Sequence, residues 1–104
     1  MALSKQAILS ATDGGLDVFK KFISNFPGVG KAFLNPFYND TKPSTYVYKQ
    51  KGSDHYNFVD HGNLDYIGDC FSFIGWIFNK DTRESDQFID ILEIINRELH
   101  LNLS

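Results

Sequence analysis

Cysteine is almost missing from this chain of 104 residues, with Cys70 the only one. A lone thiol excludes an internal disulfide and any metal site built on several cysteines, and it fits a reducing compartment. Long apolar runs are missing too: no stretch approaches the ~18 residues that a membrane-crossing helix needs. The opening residues, MALSKQAILSATDGG, carry one lysine and a short apolar patch, unlike a secretory signal. Repeats, low-complexity tracts and internal linkers are absent. These absences lead to the expectation of one cytoplasmic domain over residues 1–104 that makes no use of a membrane.

An overall basic charge is also lacking. The net charge is −3, which taken alone speaks against nucleic acid. Its distribution says more. Lys20, Lys21, Lys31, Lys42, Lys49 and Lys51 face only Asp40 within their span, whereas Asp54, Asp60, Asp65 and Asp69 follow with no Lys or Arg among them. A second acidic block runs from Asp81 to Glu98, relieved by Arg83 and Arg97. Positive charge is therefore confined to the first half.

What is present is an aromatic-rich globular composition, 42% hydrophobic and 15% aromatic, with ten phenylalanines. A chain of this size buries roughly 60–70% of its unfolded surface and can hold a core unaided. Leu16, Phe19, Phe22, Ile23 and Phe26 fall on one helical face, with Asp13 as candidate cap. Pro27 and the glycines after it end that helix. PGVGK at 27–31 lacks the spacing and the closing Ser or Thr of a phosphate-binding loop, and reads as a turn. Strands are expected at 31–34, 45–49 and 56–59, the last two paired across the KGSDH loop. The polar stretch 60–69 reads as a loop. Asp69 caps an apolar helix at 70–78. Phe88, Ile91, Leu92, Ile95 and Leu99, widened by Ile89 and Ile94, form the stripe of a final helix capped by Ser85. Together these elements predict an α+β fold: a helical segment at 1–30, a small antiparallel sheet in a core at 31–79, and a C-terminal helix at 80–104.

Catalytic chemistry finds little support. Cys70 lies inside an apolar run, where a thiol is buried and inert. Asp60, Asp65 and Asp69 lack the alternation and closing Glu of a calcium loop. His55, His61 and His100 have no metal-ligand spacing.

One stretch carries more. NPFYNDTKPS at 35–44 resembles the first knuckle of the zinc-binding domain at the amino terminus of bacterial DNA primases. That family's knuckle reads Cys-Pro-Phe-His, an acidic stretch and then Pro-Ser-Phe. Pro36, Phe37, Asp40, Pro43 and Ser44 stand in register, and Thr45 replaces the aromatic. The family's second half, Tyr-x-Cys-Phe-x-Cys followed by glycine, Gly-Asp and an apolar helix, is similar to Tyr56 to His61, Gly62, Gly68-Asp69 and Phe73. The resemblance covers about residues 33 to 103. The loop from Gly62 to Gly68 is a few residues longer than the family's.

The resemblance implies a zinc ribbon that has lost its metal. The four ligand positions fall on Asn35, Tyr38, Phe58 and His61, of which only His61 can bind zinc. Such a loss removes on the order of 10 kcal/mol of folding energy that other contacts must replace. Tyr38 and Phe58 are candidates to fill the vacated space. Metal-free relatives of this kind are associated with primase-like proteins of mobile elements. In the family the domain engages single-stranded template while a separate domain polymerises, so the resemblance implies a non-catalytic DNA-binding role. It also implies a partner such as a primase catalytic domain or a helicase.

The candidate contact residues are Lys42, Tyr46, Tyr48, Lys49, Lys51 and Tyr56, cations for phosphates and rings for bases. Tyr46 and Tyr48 can equally be the sheet's core-facing row. A protein-interaction module that kept the fold and lost DNA binding is the other reading. Because three of the four ligand positions cannot coordinate, elemental analysis of the purified protein should find no stoichiometric zinc. Chelator should leave the melting temperature unchanged.

Overall fold

The computed structural model describes residues 3–103. Its first helices are shorter than the aromatic stripe suggests. α1 spans Lys5–Ala11, with the Ser4 hydroxyl accepting from the Ala7 N–H as its cap, and α2 spans Leu16–Phe22. The expected helix start at Asp13 is corrected. Asp13, Gly14 and Gly15 all adopt positive φ, and Gly15 occupies the cap position of α2. Thr12 joins the two helices by donating to the Ile8 carbonyl at 2.7 Å and accepting from the Gly15 N–H at 3.1 Å. Gly14 is obligatory here, since a Cβ would lie 1.7 Å from the Asp54 carbonyl oxygen. Its own carbonyl accepts from the Tyr56 N–H at 2.9 Å, fastening this turn to the sheet.

β1 (Thr45–Lys49) and β2 (Tyr56–Asp60) pair antiparallel as expected, with Val47 opposite Phe58. The strand expected at 31–34 is reduced to one bridge, Phe33 to Thr45. With a further bond from the Gly30 N–H to the Val47 carbonyl, that segment covers the outer edge of β1. A third strand, β3 (Ile67–Asp69), lies in what reads as a polar loop and completes a sheet of order β1-β2-β3. α3 (Cys70–Phe78) follows directly, with the Asp69 carboxylate accepting from the Ser72 N–H at 2.9 Å. α4 spans Ser85–Glu98, where Ser85 is the first helical residue and Glu84 the cap.

The fold is α+β, with one face of the small sheet packed against helices. Phe58 is fully buried on that face, and rings of Phe19, Phe33, Phe37, Phe73 and Trp76 lie 5.5–6.3 Å from it. Aromatic pairs at such separations add to the burial of their area. α4 supplies Ile91, Leu92, Ile94 and Ile95 to the same core, but Ile89 faces water rather than widening the stripe. Beyond α4 the chain folds back. The Asn96 side chain donates to the Leu103 carbonyl at 2.7 Å and accepts from its N–H at 2.9 Å, holding Leu101 and Leu103 against the core. Among the described residues no helix is long and apolar enough to cross a membrane.

Ile95 is wholly buried, so Ile95→Ala should destabilise the protein by roughly 2–5 kcal/mol in urea unfolding. A loss below ~1 kcal/mol would show α4 to be a dispensable tail.

Candidate nucleic-acid interface

The knuckle is built by its own side chains. Asn35 Oδ1 accepts from the Phe37 N–H at 2.8 Å, an Asx turn that starts the loop at Pro36. Asp40 closes it, one oxygen accepting from the Asn35 N–H at 2.9 Å and the other from the Lys42 N–H at 3.2 Å. The whole loop then docks on a single carboxylate. Asp60, buried at the end of β2, accepts from Asn35 Nδ2 at 3.0 Å, from the Tyr38 hydroxyl, from Ser44 Oγ at 2.9 Å and from the Gly62 N–H at 2.8 Å.

Electrostatics follow from that geometry. Burial disfavours the Asp60 charge, but hydrogen bonds from Tyr38, Asn35, Gly62 and Ser44 outweigh it, and its pKa is lowered to about 2. The same bond to Asp60 pushes the Tyr38 phenol up to about 12, so it stays protonated as a donor. Four donors meet the ~four lone-pair sites of a carboxylate, leaving Asp60 none for a metal.

The positions matched to zinc ligands therefore divide. Asn35 and Tyr38 meet at Asp60; Phe58 sits in the aromatic core; His61 turns the other way, its ring 5.6 Å from Tyr46. Among the described residues no group of three His, Cys, Asp or Glu side chains could hold a metal ion. Asp69 serves as the α3 cap and lies 3.9 Å from Lys5, so it shares no site with Asp60. Burial raises the Cys70 pKa far above its usual value, and the thiol stays protonated.

Strand alternation decides where the tyrosines go. Thr45 and Val47 are buried on the helix side, so Tyr46 and Tyr48 project from the opposite face and are half-exposed. Cross-strand neighbours Val59 and Ile67 join them there, with His61 and Leu64, around a shallow groove of about 550 Å³. Leu64 and Ile67 are 64% and 53% exposed. Neither was among the expected contact residues; the outward parity of Ile67 becomes readable only once β3 is recognised as a strand.

Tyr56 is separated from that pair. It has the same parity as Phe58, on the helix side, and with Lys49 lines a polar cleft of about 340 Å³ that also includes Asp13, Asp54 and His55. Lys42 and Lys51 are exposed in the loops at the two ends of β1. The ion pairs among the described residues involve Lys5, Lys80, Arg83 and Arg97, leaving Lys42, Lys49 and Lys51 without carboxylate partners. Comparison with known proteins finds no matching protein-family model, curated protein or solved structure.

Asp60→Asn should cost on the order of 3 kcal/mol, because an amide nitrogen would face buried donors. Thr45→Val, which removes a buried hydroxyl that has no partner, should cost nothing and serves as the control. The Asp60 contribution should be complete above its unfolded pKa of ~3.9 and be lost as pH falls through about 2. Chemical denaturation across that range should show a slope that vanishes in Asp60→Asn.

Proposed function

We propose that this chain is a non-catalytic single-strand nucleic-acid-binding domain of the primase-like type, working through the outer sheet face. The observation that carries the reading is the outward projection of Tyr46 and Tyr48 between exposed lysines that have no acidic partners. Single strands are held by this combination, with aromatic faces stacking on bases and cations meeting phosphates. On this reading Tyr46 and Tyr48 are the stacking residues, and Lys42 and Lys51 flank them at either end of β1. Lys49 and its cross-strand neighbour Tyr56 face the other side and take no part. On this reading the scaffold does without zinc, which the docking of the knuckle on Asp60 supports. A primase catalytic domain or a helicase is the partner this role calls for.

A second reading has its own support. Val59, Leu64 and Ile67 make the floor between the tyrosines apolar, which suits a protein partner as the alternative occupant of the same face.

Binding of a labelled single-stranded oligonucleotide across a salt series separates the two. Each phosphate contact on a single strand contributes ~0.7 to the slope of log affinity against log salt. Lys42→Ala combined with Lys51→Ala should therefore flatten the slope by roughly one unit. Tyr48→Ala should cost about 1–3 kcal/mol of binding and leave the slope alone, because stacking releases no counterions. Circular dichroism should show that variant folded. Absence of binding by the wild-type chain at low salt would remove the nucleic-acid reading and leave protein interaction in its place.

A further inference from the structure

Two features of the outer sheet face bear on which strand it would hold. The first is the spacing of its rings. Tyr46 and Tyr48 stand two positions apart on β1, a rise of ~6.8 Å along the strand. That is twice the ~3.4 Å step between stacked bases, so the rings suit two bases unstacked from each other. His61 lies against Tyr46 at 5.6 Å, whereas Tyr48 packs on no other ring among the described residues.

The second feature is the floor. Tyr46, Val59 and Ile67 form one row across the three strands, and Tyr48 is diagonal to Val59. Strands lie ~4.8 Å apart, so a base stacked on Tyr46 extends its edge over Val59 toward Ile67. Leu64 adds to the same apolar floor, and no amide or carboxylate side chain lines the groove. Donors and acceptors on a base edge gain nothing from such a floor. The C5 methyl of thymine does gain, by apolar contact, and uracil lacks it. The groove is small for a protein: six residues line it, against the ~20–30 a side of a stable protein interface. Its flanks are cationic, because Lys42 and Lys51 are exposed at the two ends of β1 and lack carboxylate partners. Phosphates complement that charge.

We infer that the outer sheet face selects thymine-containing single-stranded DNA over uracil-containing strands, by contact of the thymine methyl with Val59, Leu64 and Ile67. The inference rests on the single-strand reading of this face and adds its specificity.

Binding of oligo(dT) and oligo(dU) of equal length, at low salt, isolates the methyl, since the two strands differ in nothing else. Oligo(dT) should bind roughly tenfold tighter, because each buried methyl is worth about fourfold and two bases are seated. Oligo(rU) should bind as oligo(dU) does, since no group on the floor reads a 2′-hydroxyl. Leu64 and Ile67 are 64% and 53% exposed, so Leu64→Ala combined with Ile67→Ala keeps the fold. That variant should reduce the preference for oligo(dT) to about twofold while oligo(dU) binding stays close to wild type. Equal binding of oligo(dT) and oligo(dU) overturns the inference and leaves the single-strand reading standing. So does oligo(rU) binding as tightly as oligo(dT). A preference that survives in the double variant also overturns it, since it then comes from the strands' own stacking or from another part of the surface. Failure of all three strands to bind overturns both readings.

Discussion

The Asp60 carboxylate is the contact on which the first half of the molecule depends. It stands at the end of β2 with no access to water, and it remains charged because Asn35, Tyr38, Ser44 and Gly62 all donate to it. A buried carboxylate is costly unless its hydrogen bonds are complete, and here they are. The ten-residue knuckle has little apolar surface of its own beyond Phe37. Its position over the sheet is therefore set by polar contacts, and Phe37 is delivered into the ring cluster around Phe58 as a result. The carboxylate fixes the loop that brings Phe37 into that cluster.

From that anchoring the two faces of the sheet acquire different chemistry. The helix side takes Val47 and Phe58 into the core. The outer side is uncovered and holds Tyr46, Tyr48, Val59 and Ile67. Because pairing is in strict register from Thr45–Asp60 to Lys49–Tyr56, no tyrosine of β1 can turn inward without a slip that would expose Val47. The uncovered face thus follows from register.

The sequence shows best where one local signal decides the outcome. Asp69 before an apolar run means a capped helix, and α3 is that helix; the spacing of Ile91, Leu92 and Ile95 likewise yields α4. The β1–β2 hairpin follows from its loop. Elements fixed by distant contacts are harder to read. α1 has only Ile8 and Leu9 buried within it, too few to make a periodic stripe. β3 is three residues long and is held by pairing to β2, so its composition still looks like a loop. Residues 31–34 have strand composition, yet only the Phe33–Thr45 bridge forms there. At the interface, the tyrosine pair was legible as a pair but not its side of the sheet. Tyr56 shares the parity of Phe58 and so stands on the helix side of the sheet, away from Tyr46 and Tyr48.

The clamp between Asn96 and Leu103 has a topological consequence. Leu103 packs in a shallow depression beside Ser4, Gln6 and Ala7, so the two ends of the described chain lie on one patch of surface. Adjacent ends make a domain easy to re-thread. A short polar linker from residue 103 to residue 4 would close the backbone into a ring. Gly52, at positive φ in the hairpin loop with open space around it, offers a place to cut that ring. The same architecture could then be inserted whole into a loop of another protein, entering and leaving through a single narrow opening.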